Sequence, residues 1–155
     1  RLRQYGWASK YVAVDGPARN SRLDELQAAI LGVQLPLLDG WNERRRAVAR
    51  RYAEVKHPHI QHPNVEGSDY VAHLYVVRTE ARDSLRTHLE THDITTDIHY
   101  PVLDTQQPVM KEFAGVKLPE SERATAEILS LPCYPELTDD EVERVCAALR
   151  GWQPQ

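Results

Sequence analysis

Apolar residues recur every three or four positions near the start of the chain, and this period predicts a helix with one buried face. The set is Leu23, Leu26, Ile30, Val33 and Leu37. Ser21, with Asp24 three residues later, matches a capping box and predicts the start of this helix. Pro36 should end or kink it, because proline removes a backbone donor. A second apolar set at helical spacing predicts a partner helix: Leu38, Trp41, Val48, Tyr52 and Val55.

Later patterns predict strands separated by helices. Aromatic and β-branched residues from Tyr70 to Val77 favour a strand with both faces covered, in which His73 is a hydrogen-bonded core histidine. The other elements are a helix over 82–92, a strand over 94–98, a helix over 120–129 and a last helix capped by Thr138 and Glu141. This order is typical of an α+β fold with layered helices and strands. We expect a lead-in over residues 1–20, a long helix pair over 21–56 and a small α+β domain over 57–155.

The composition is that of a folded domain. The chain has 155 residues, of which 41% are hydrophobic and 27% charged, with a formal net charge of −4. No apolar run is long enough for a membrane span or a signal peptide, so we expect neither. The only methionine is Met110 and the chain opens at Arg1, which predicts a piece of a longer protein.

The cysteine content favours a reduced, cytoplasmic setting. Cys133 and Cys146 are too few for a disulfide scaffold or a zinc knuckle, although one disulfide between them stays an alternative. Cys146 falls within a helical apolar stripe, which predicts a small buried thiol without a redox role.

Two polar clusters have ordinary interpretations. The segment from Glu43 to Lys56 carries six basic and two acidic residues, and we interpret it as a solvated helix face and not as a nucleic-acid site, since the rest of the chain is acidic. His57, His59 and His62 lie on a proline-broken loop without a further ligand nearby, so we predict a surface loop and no metal.

Two other places could bind an anion or a polar ligand. Asn20-Ser21-Arg22 lies at the predicted start of the first helix, where free N–H groups and the helix dipole favour an anion, although an ordinary N-cap has the same sequence. His99-Tyr100-Pro101 follows a predicted strand, and polar groups at strand ends often line ligand crevices, although a satisfied turn is the alternative.

The chain also contains several longer motifs in a fixed order. They are Leu2-Arg-Gln-Tyr-Gly6, Lys10-Tyr11, Gly16, the block from Asn20 to Leu31, the strand from His73 to Arg78, Ile98-His-Tyr-Pro101 with Gln107-Pro108, Leu129-Ser-Leu-Pro132, and the segment from Tyr134 to Asp139. In this order, and from about Leu2 to Leu149, they resemble the second half of the DegT/DnrJ family of sugar aminotransferases.

The resemblance implies a homodimeric pyridoxal-phosphate enzyme that moves an amino group, commonly from glutamate, to a nucleotide-linked keto sugar. It implies the C-terminal small domain of the aspartate aminotransferase (fold type I) architecture, preceded by a long helix pair and by a lead-in from an absent large domain. The family's Schiff-base lysine and most of its cofactor pocket precede this region, so no residue of this chain is expected to be catalytic and the fragment alone is expected to be inactive.

The resemblance also assigns site residues. Asn20 matches the asparagine that reaches across the dimer to the cofactor phosphate, and Tyr11 and Arg22 match positions near the neighbouring subunit's sugar-nucleotide site. His99 and Tyr100 match a substrate-side loop that contacts the sugar or its diphosphate. Thr105 stands where the family commonly has histidine, which leaves the substrate preference open. The alternatives are a family member that dehydrates the sugar and a non-catalytic domain that pairs through its helices.

Overall fold

A computed structural model describes residues 3, 7–14, 16–17, 19–21, 23–67, 69–113 and 115–154. The chain divides into two compact units, Arg1–Asp39 and Gly40–Gln155. The three segments predicted from the sequence divide the chain elsewhere, and the domain limits of the whole protein stay a prediction.

The first unit contains a short hairpin and the first helix. Strands β1 (Trp7–Ser9) and β2 (Val12–Ala13) pair antiparallel, and Tyr11 in the connecting turn has a φ of 68°. Helix α1 spans Glu25–Gln34, and a 3-10 turn at Leu35–Leu37 follows it. The predicted interruption at Pro36 is therefore confirmed.

The start of α1 differs from the prediction. Its N-cap is Asp24, whose carboxylate accepts hydrogen bonds from the backbone N–H groups of Leu26 (2.9 Å) and Gln27 (3.4 Å). The capping box predicted at Ser21 is wrong, because an ionised carboxylate one turn closer to the apolar run satisfies the same orphan donors. Asn20 and Ser21 consequently lie before the helix and not at its end.

The predicted buried face of α1 is also wrong for this chain. None of the helix residues is buried, and the apolar side chains of Leu26, Ile30 and Val33 are 70%, 51% and 74% exposed. Leu31 and Leu35, which lie on another side of the helix, are 54% and 68% exposed. A helix that is apolar on more than one side is typical of the interior of a larger protein.

Six of the described helices and strands build the second unit around one core. Helix α2 (Leu38–Ala53), most of which lies in this unit, continues the chain, followed by β3 (Tyr75–Arg78), α3 (Arg82–Glu90), α4 (Pro119–Glu127), β4 (Ile128–Leu131) and α5 (Asp139–Gly151). The core's largest fully buried side chains come from most of these elements: Tyr52, Val48, Val55, Tyr75, Val77, Leu85, Leu89, Leu129, Val142, Cys146, Leu149 and Trp152. The predicted capping box of Thr138 and Glu141 at the start of α5 is confirmed.

The sheet of this unit has one core face and one half-buried face. Strands β3 and β4 pair antiparallel with Tyr75 opposite Leu131 and Val77 opposite Leu129, and these four side chains are buried. Single bridges extend the sheet on both sides, from Gln61 to Arg78 and from Asp97 to Ser130. Helices against antiparallel strands make an α+β arrangement.

Two strand predictions need correction. The strand predicted over 70–77 begins only at Tyr75, because Ala72 has a φ of 51° and breaks the extended run. His73 is exposed, so its predicted role as a core histidine is wrong. The strand predicted over 94–98 reduces to the single bridge at Asp97, and the helix predicted to continue through Leu129 ends at Glu127, where β4 begins.

The segment from Asp97 to Leu118 lies outside the core. It contains two 3-10 segments, Asp104–Gln106 and Pro108–Phe113, and none of its described residues is buried. Thr105 lies in the first of them.

Cys146 is buried and Cys133 half-buried, and both are free thiols, as expected from the sequence. Among the described helices, none is long and apolar enough to cross a membrane.

Candidate functional site

The site around His99 is built on the bridge between β4 and the segment that follows α3. Asp97 and Ser130 exchange two backbone hydrogen bonds, with N–O distances of 3.2 Å and 2.7 Å. Because residues directly opposite in an antiparallel pair share a face, the side chains of Asp97 and Ser130 lie on the same side of the sheet. His99 follows two residues after Asp97 and reaches back to this pair. The sheet therefore fixes the base of the site.

The His99 imidazole lies between a buried hydroxyl and an exposed carboxylate. Its Nδ1 is 2.9 Å from Ser130 Oγ, and Ser130 is only 5% exposed. Its Nε2 is 3.7 Å from Asp97 Oδ2, and the Asp97 side chain is 77% exposed. The other carboxylate oxygen of Asp97 accepts a hydrogen bond from the Ile98 N–H at 2.8 Å. One side of the ring is thus held by the protein and the other faces outward.

Tyr100 stands beside this ring. The ring centroids of His99 and Tyr100 are 5.5 Å apart in an edge-on contact, and Tyr100 is 71% exposed. The structure therefore places the rings of His99 and Tyr100 side by side, and their role towards a substrate stays a prediction. It adds Asp97 and Ser130, to which the sequence analysis assigns no role, because the pattern around Ser130 predicts the end of a helix and not a strand. The run Ile128-Leu-Ser-Leu131, with a β-branched start and a proline directly after it, was the available strand signal.

Asn20 and Tyr11 lie in the first unit, on described residues that are exposed. The argument from the helix dipole no longer supports an anion at Asn20, because the Asp24 carboxylate already occupies the start of α1. Tyr11 is 76% exposed, and the ammonium of Lys10 lies 5.1 Å from its ring centroid. Arg22 lies outside the described residues.

The predicted surface histidines are partly built into the fold. His57 Nε2 is 2.9 Å from the carbonyl oxygen of Trp152, and His62 Nδ1 is 2.8 Å from the hydroxyl of Tyr75. Burial lowers the pKa of His62, so this ring is held neutral. Across the described residues, no group of histidines, cysteines or carboxylates could hold a metal ion.

The arginine run on α2 makes ion pairs with carboxylates. Arg46 and Arg50 bind Glu43 at 3.0 Å and 2.7 Å, and the hydrogen-bonded arginines hold the pKa of this carboxyl below its usual value. Arg44 binds Asp139 at 2.8 Å, and Arg51 binds Glu143 at 2.8 Å. The Arg44 and Arg51 pairs link α2 to α5, and exposed ion pairs of this kind contribute about 1 kcal/mol or less.

Burial suppresses the reactivity of the core's other titratable groups. Desolvation raises the pKa of the Cys133 thiol to about 11 and raises the pKa values of Tyr52 and Tyr75 well above the usual value. The Tyr52 hydroxyl donates to the carbonyl of Pro132 at 3.0 Å. These groups are neutral packing elements at physiological pH, and none is an activated nucleophile.

Comparisons with known proteins give the chain its family. The model of the DegT/DnrJ/EryC1/StrS aminotransferase family matches residues 1–150. A relative from Aneurinibacillus thermoaerophilus, dTDP-3-amino-3,6-dideoxy-alpha-D-galactopyranose transaminase, is 42% identical over 97% of this chain and 42% of its own length.

Solved structures agree with this match. The crystal structure of S. venezuelae DesV, in complex with a ketimine intermediate, superposes with a TM-score of 0.80 at 42% identity, over 97% of this chain and 42% of that one. NtdA from Bacillus subtilis, with bound cofactor PMP, superposes with a TM-score of 0.84 at 32% identity, over 96% of this chain and 37% of that one. The predicted α+β fold is confirmed.

The chain spans about two-fifths of the length of the relatives it matches. The motif order that suggested the family, from the Asn20 block to the segment ending at Asp139, lies within the matched region. This chain belongs to the DegT/DnrJ/EryC1/StrS aminotransferase family.

Proposed function

We propose that this chain is the C-terminal part of a pyridoxal-phosphate-dependent aminotransferase that moves an amino group from glutamate to a nucleotide-linked keto sugar. The observation that carries the proposal is the family match over residues 1–150, and the name of the Aneurinibacillus relative supports a dTDP-linked amino sugar as the product. The protein works in the cytoplasm as a homodimer, and the chain alone is inactive.

The residues of this chain suit part of a cofactor site. A lysine that binds pyridoxal phosphate covalently needs a desolvated or cationic environment to lower its pKa. In the family this lysine precedes the region of this chain, so we propose none of its four lysines, Lys10, Lys56, Lys111 and Lys117, for this role. Asn20 offers an exposed amide donor, which suits a phosphate oxygen. This chain therefore supplies a phosphate contact, and the remainder of the enzyme supplies the lysine.

When bound, the cofactor supplies the electron sink for amino transfer, and this chain's residues bind and orient the reactants. Asn20 donates its amide N–H to the cofactor phosphate of the opposite subunit. The resemblance assigns Tyr11 and Arg22 to the neighbouring subunit's sugar-nucleotide site, and it assigns His99 and Tyr100 to a loop that hydrogen-bonds the sugar or its diphosphate. An active site shared across the subunits in this way requires the homodimer.

The test uses the full-length protein that contains this chain. We expect bound cofactor to absorb in the visible range, and we expect 2-oxoglutarate to form from glutamate when a dTDP-linked or UDP-linked keto sugar is added. A sugar dehydratase would consume the keto sugar without stoichiometric 2-oxoglutarate. A protein that binds no cofactor would support the interaction domain instead and would overturn the proposal.

Asn20 is tested in the same protein. A charge-assisted hydrogen bond contributes about 1.5–3 kcal/mol, so Asn20→Ala should weaken cofactor retention in dialysis by roughly tenfold to a hundredfold. Asn20→Ser should also lose cofactor, because its side chain is shorter. The matched control is Asp24→Ala, which removes the observed N-cap and should cost about 1 kcal/mol of stability with cofactor retention unchanged. Equal retention in Asn20→Ser and the parent would remove Asn20 from the phosphate site.

A further inference from the structure

Asp97, His99 and Ser130 form a continuous line of polar groups on one face of the sheet. The backbone bridge fixes Asp97 opposite Ser130, and the His99 ring spans the space between their side chains. Ser130 is buried, His99 is 27% exposed at its side chain and Asp97 is 77% exposed. The line therefore runs from the protein interior to the surface.

The groups at the two ends of this line favour one of the two ring nitrogens of His99 as the N–H. A carboxylate only accepts hydrogen bonds, so the ring nitrogen nearest to Asp97 is favoured as the N–H. That nitrogen is Nε2, which leaves Nδ1 as an acceptor for the Ser130 hydroxyl at 2.9 Å. The hydroxyl of Ser130 has little access to water, so losing this bond would leave a buried polar group without its partner.

At the outer end of the line, His99 Nε2 and the Asp97 carboxylate lie near each other without a hydrogen bond between them. The 3.7 Å separation of Nε2 and Asp97 Oδ2 is too long for a hydrogen bond. A ligand hydroxyl between them can accept from Nε2–H and donate to the carboxylate at the same time, because a hydroxyl is both donor and acceptor. A phosphate oxygen at neutral pH can only accept, and the Asp97 charge repels it.

We propose that Ser130 is a positioning residue that holds the His99 ring with its Nε2 towards Asp97, and that His99 and Asp97 together select a hydroxyl group of the sugar ring over its diphosphate. This inference rests on the proposed function, because it assigns the part of the substrate that this site contacts. Asp97 is then a specificity-determining residue. The sequence analysis gave the sugar and its diphosphate as alternative groups for His99 to contact. The adjacent Asp97 carboxylate favours the sugar.

The positioning role is tested on this chain by ¹⁵N NMR of its histidine rings, with His99→Gln to assign the resonances. We expect one protonated and one unprotonated nitrogen for neutral His99. Ser130→Ala should bring the two nitrogen shifts together as the tautomers mix, whereas Ser130→Thr keeps the hydroxyl and should preserve the pattern. An Nδ1–H tautomer, or an unchanged pattern in Ser130→Ala, would overturn the positioning role whatever the enzyme's reaction proves to be.

The selectivity is tested in the full-length enzyme by steady-state kinetics with a sugar nucleotide and by inhibition with the free nucleoside diphosphate. A hydrogen bond to a charged group contributes about 1.5–3 kcal/mol, so Asp97→Gly should raise KM for the sugar nucleotide roughly tenfold to a hundredfold with kcat changed much less. Inhibition by the nucleoside diphosphate, which lacks the sugar, should be unaffected.

Two results would contradict this selectivity. Tighter inhibition by the nucleoside diphosphate in Asp97→Gly would mean that Asp97 faces the diphosphate, and an unchanged KM would mean that it faces no part of the substrate. If the full-length protein transfers no amino group, the proposed function fails, and the NMR result still decides whether Ser130 orients His99.

Discussion

The exposed apolar residues of α1 give the isolated chain a surface through which two copies should associate. Replacing Leu26, Ile30 and Val33 together by Gln removes three of these side chains while leaving the Asp24 cap in place. Because the three side chains are 70%, 51% and 74% exposed, most of their surface is available for a partner to cover. We therefore expect the triple variant to be more monomeric than the parent chain.

The size of the effect follows from these exposures. Full burial of one such side chain stabilises by about 1.5–3 kcal/mol, so the exposed parts of three contribute about 3–6 kcal/mol from each copy. Loss of translational and rotational freedom opposes association by about 4–15 kcal/mol. Two copies together contribute about 6–12 kcal/mol, so even the most favourable balance, about 8 kcal/mol, gives a Kd no tighter than roughly micromolar. We therefore expect at most a weak, reversible dimer with a Kd in roughly the micromolar to millimolar range, and not a tight complex.

Sedimentation velocity over about three decades of concentration, centred on that range, measures the association. The matched control replaces Val109, Phe113 and Val116 by Gln, since these residues are also exposed apolar side chains but lie outside α1. The control should associate like the parent chain. A parent chain that stays monomeric throughout, or a control that disrupts association as strongly as the α1 variant, would refute the reasoning.

Three further predictions concern the core, the last helix and the lysines. Trp152→Ala should lower the free energy of unfolding by about 3–5 kcal/mol in urea titrations, because Trp152 is 1% exposed. Trp41→Ala should lower the free energy of unfolding less, because Trp41 is half-buried. The backbone and side chain of Thr138 hold the pKa of Glu141 below its usual value, so α5 should lose stability as the pH falls below about 4, and Glu141→Gln should remove this component of a pH titration of the melting temperature. Borohydride reduction of the full-length protein with its cofactor, followed by peptide mapping, should label none of the four lysines of this chain.

Much of the second unit could be predicted from periodicity, because α2, α3 and α5 each bury one face in a core that the chain itself completes. The apolar set of α2 and the capping box at Thr138 are examples. The same period gave a wrong prediction of burial for α1. Helical spacing indicates that a face is apolar, but it does not indicate whether the surface that covers this face belongs to the same chain.

The site was predictable where a motif named the residue and not where its support came from a distant strand. His99 and Tyr100 were found through the motif that ends at Pro101. Ser130 belongs to the motif Leu129-Ser-Leu-Pro132, but its place beside His99 could not be predicted, because only the pairing of β4 with Asp97, 33 positions earlier in the chain, brings its hydroxyl to His99. Ala72 is a second feature that the sequence pattern did not indicate. Its positive φ interrupts the alternation of side chains along the predicted strand, so His73 is exposed although the alternation predicts a core position.

In the proposed function, the segment from Asp97 to Leu118 carries residues for recognition that contribute little to the buried core. None of its described residues is buried, and the backbone bridge at Asp97, the His99–Ser130 hydrogen bond and the half-buried Ile98 all lie at its start. Exposed substitutions of this kind usually change the free energy of unfolding by about 0.5 kcal/mol or less, so selection on folding leaves the segment free to vary. A lineage that needs another sugar can therefore alter this segment by gradual drift, whereas a new specificity built on β3 or β4 would have to be reached through destabilised intermediates.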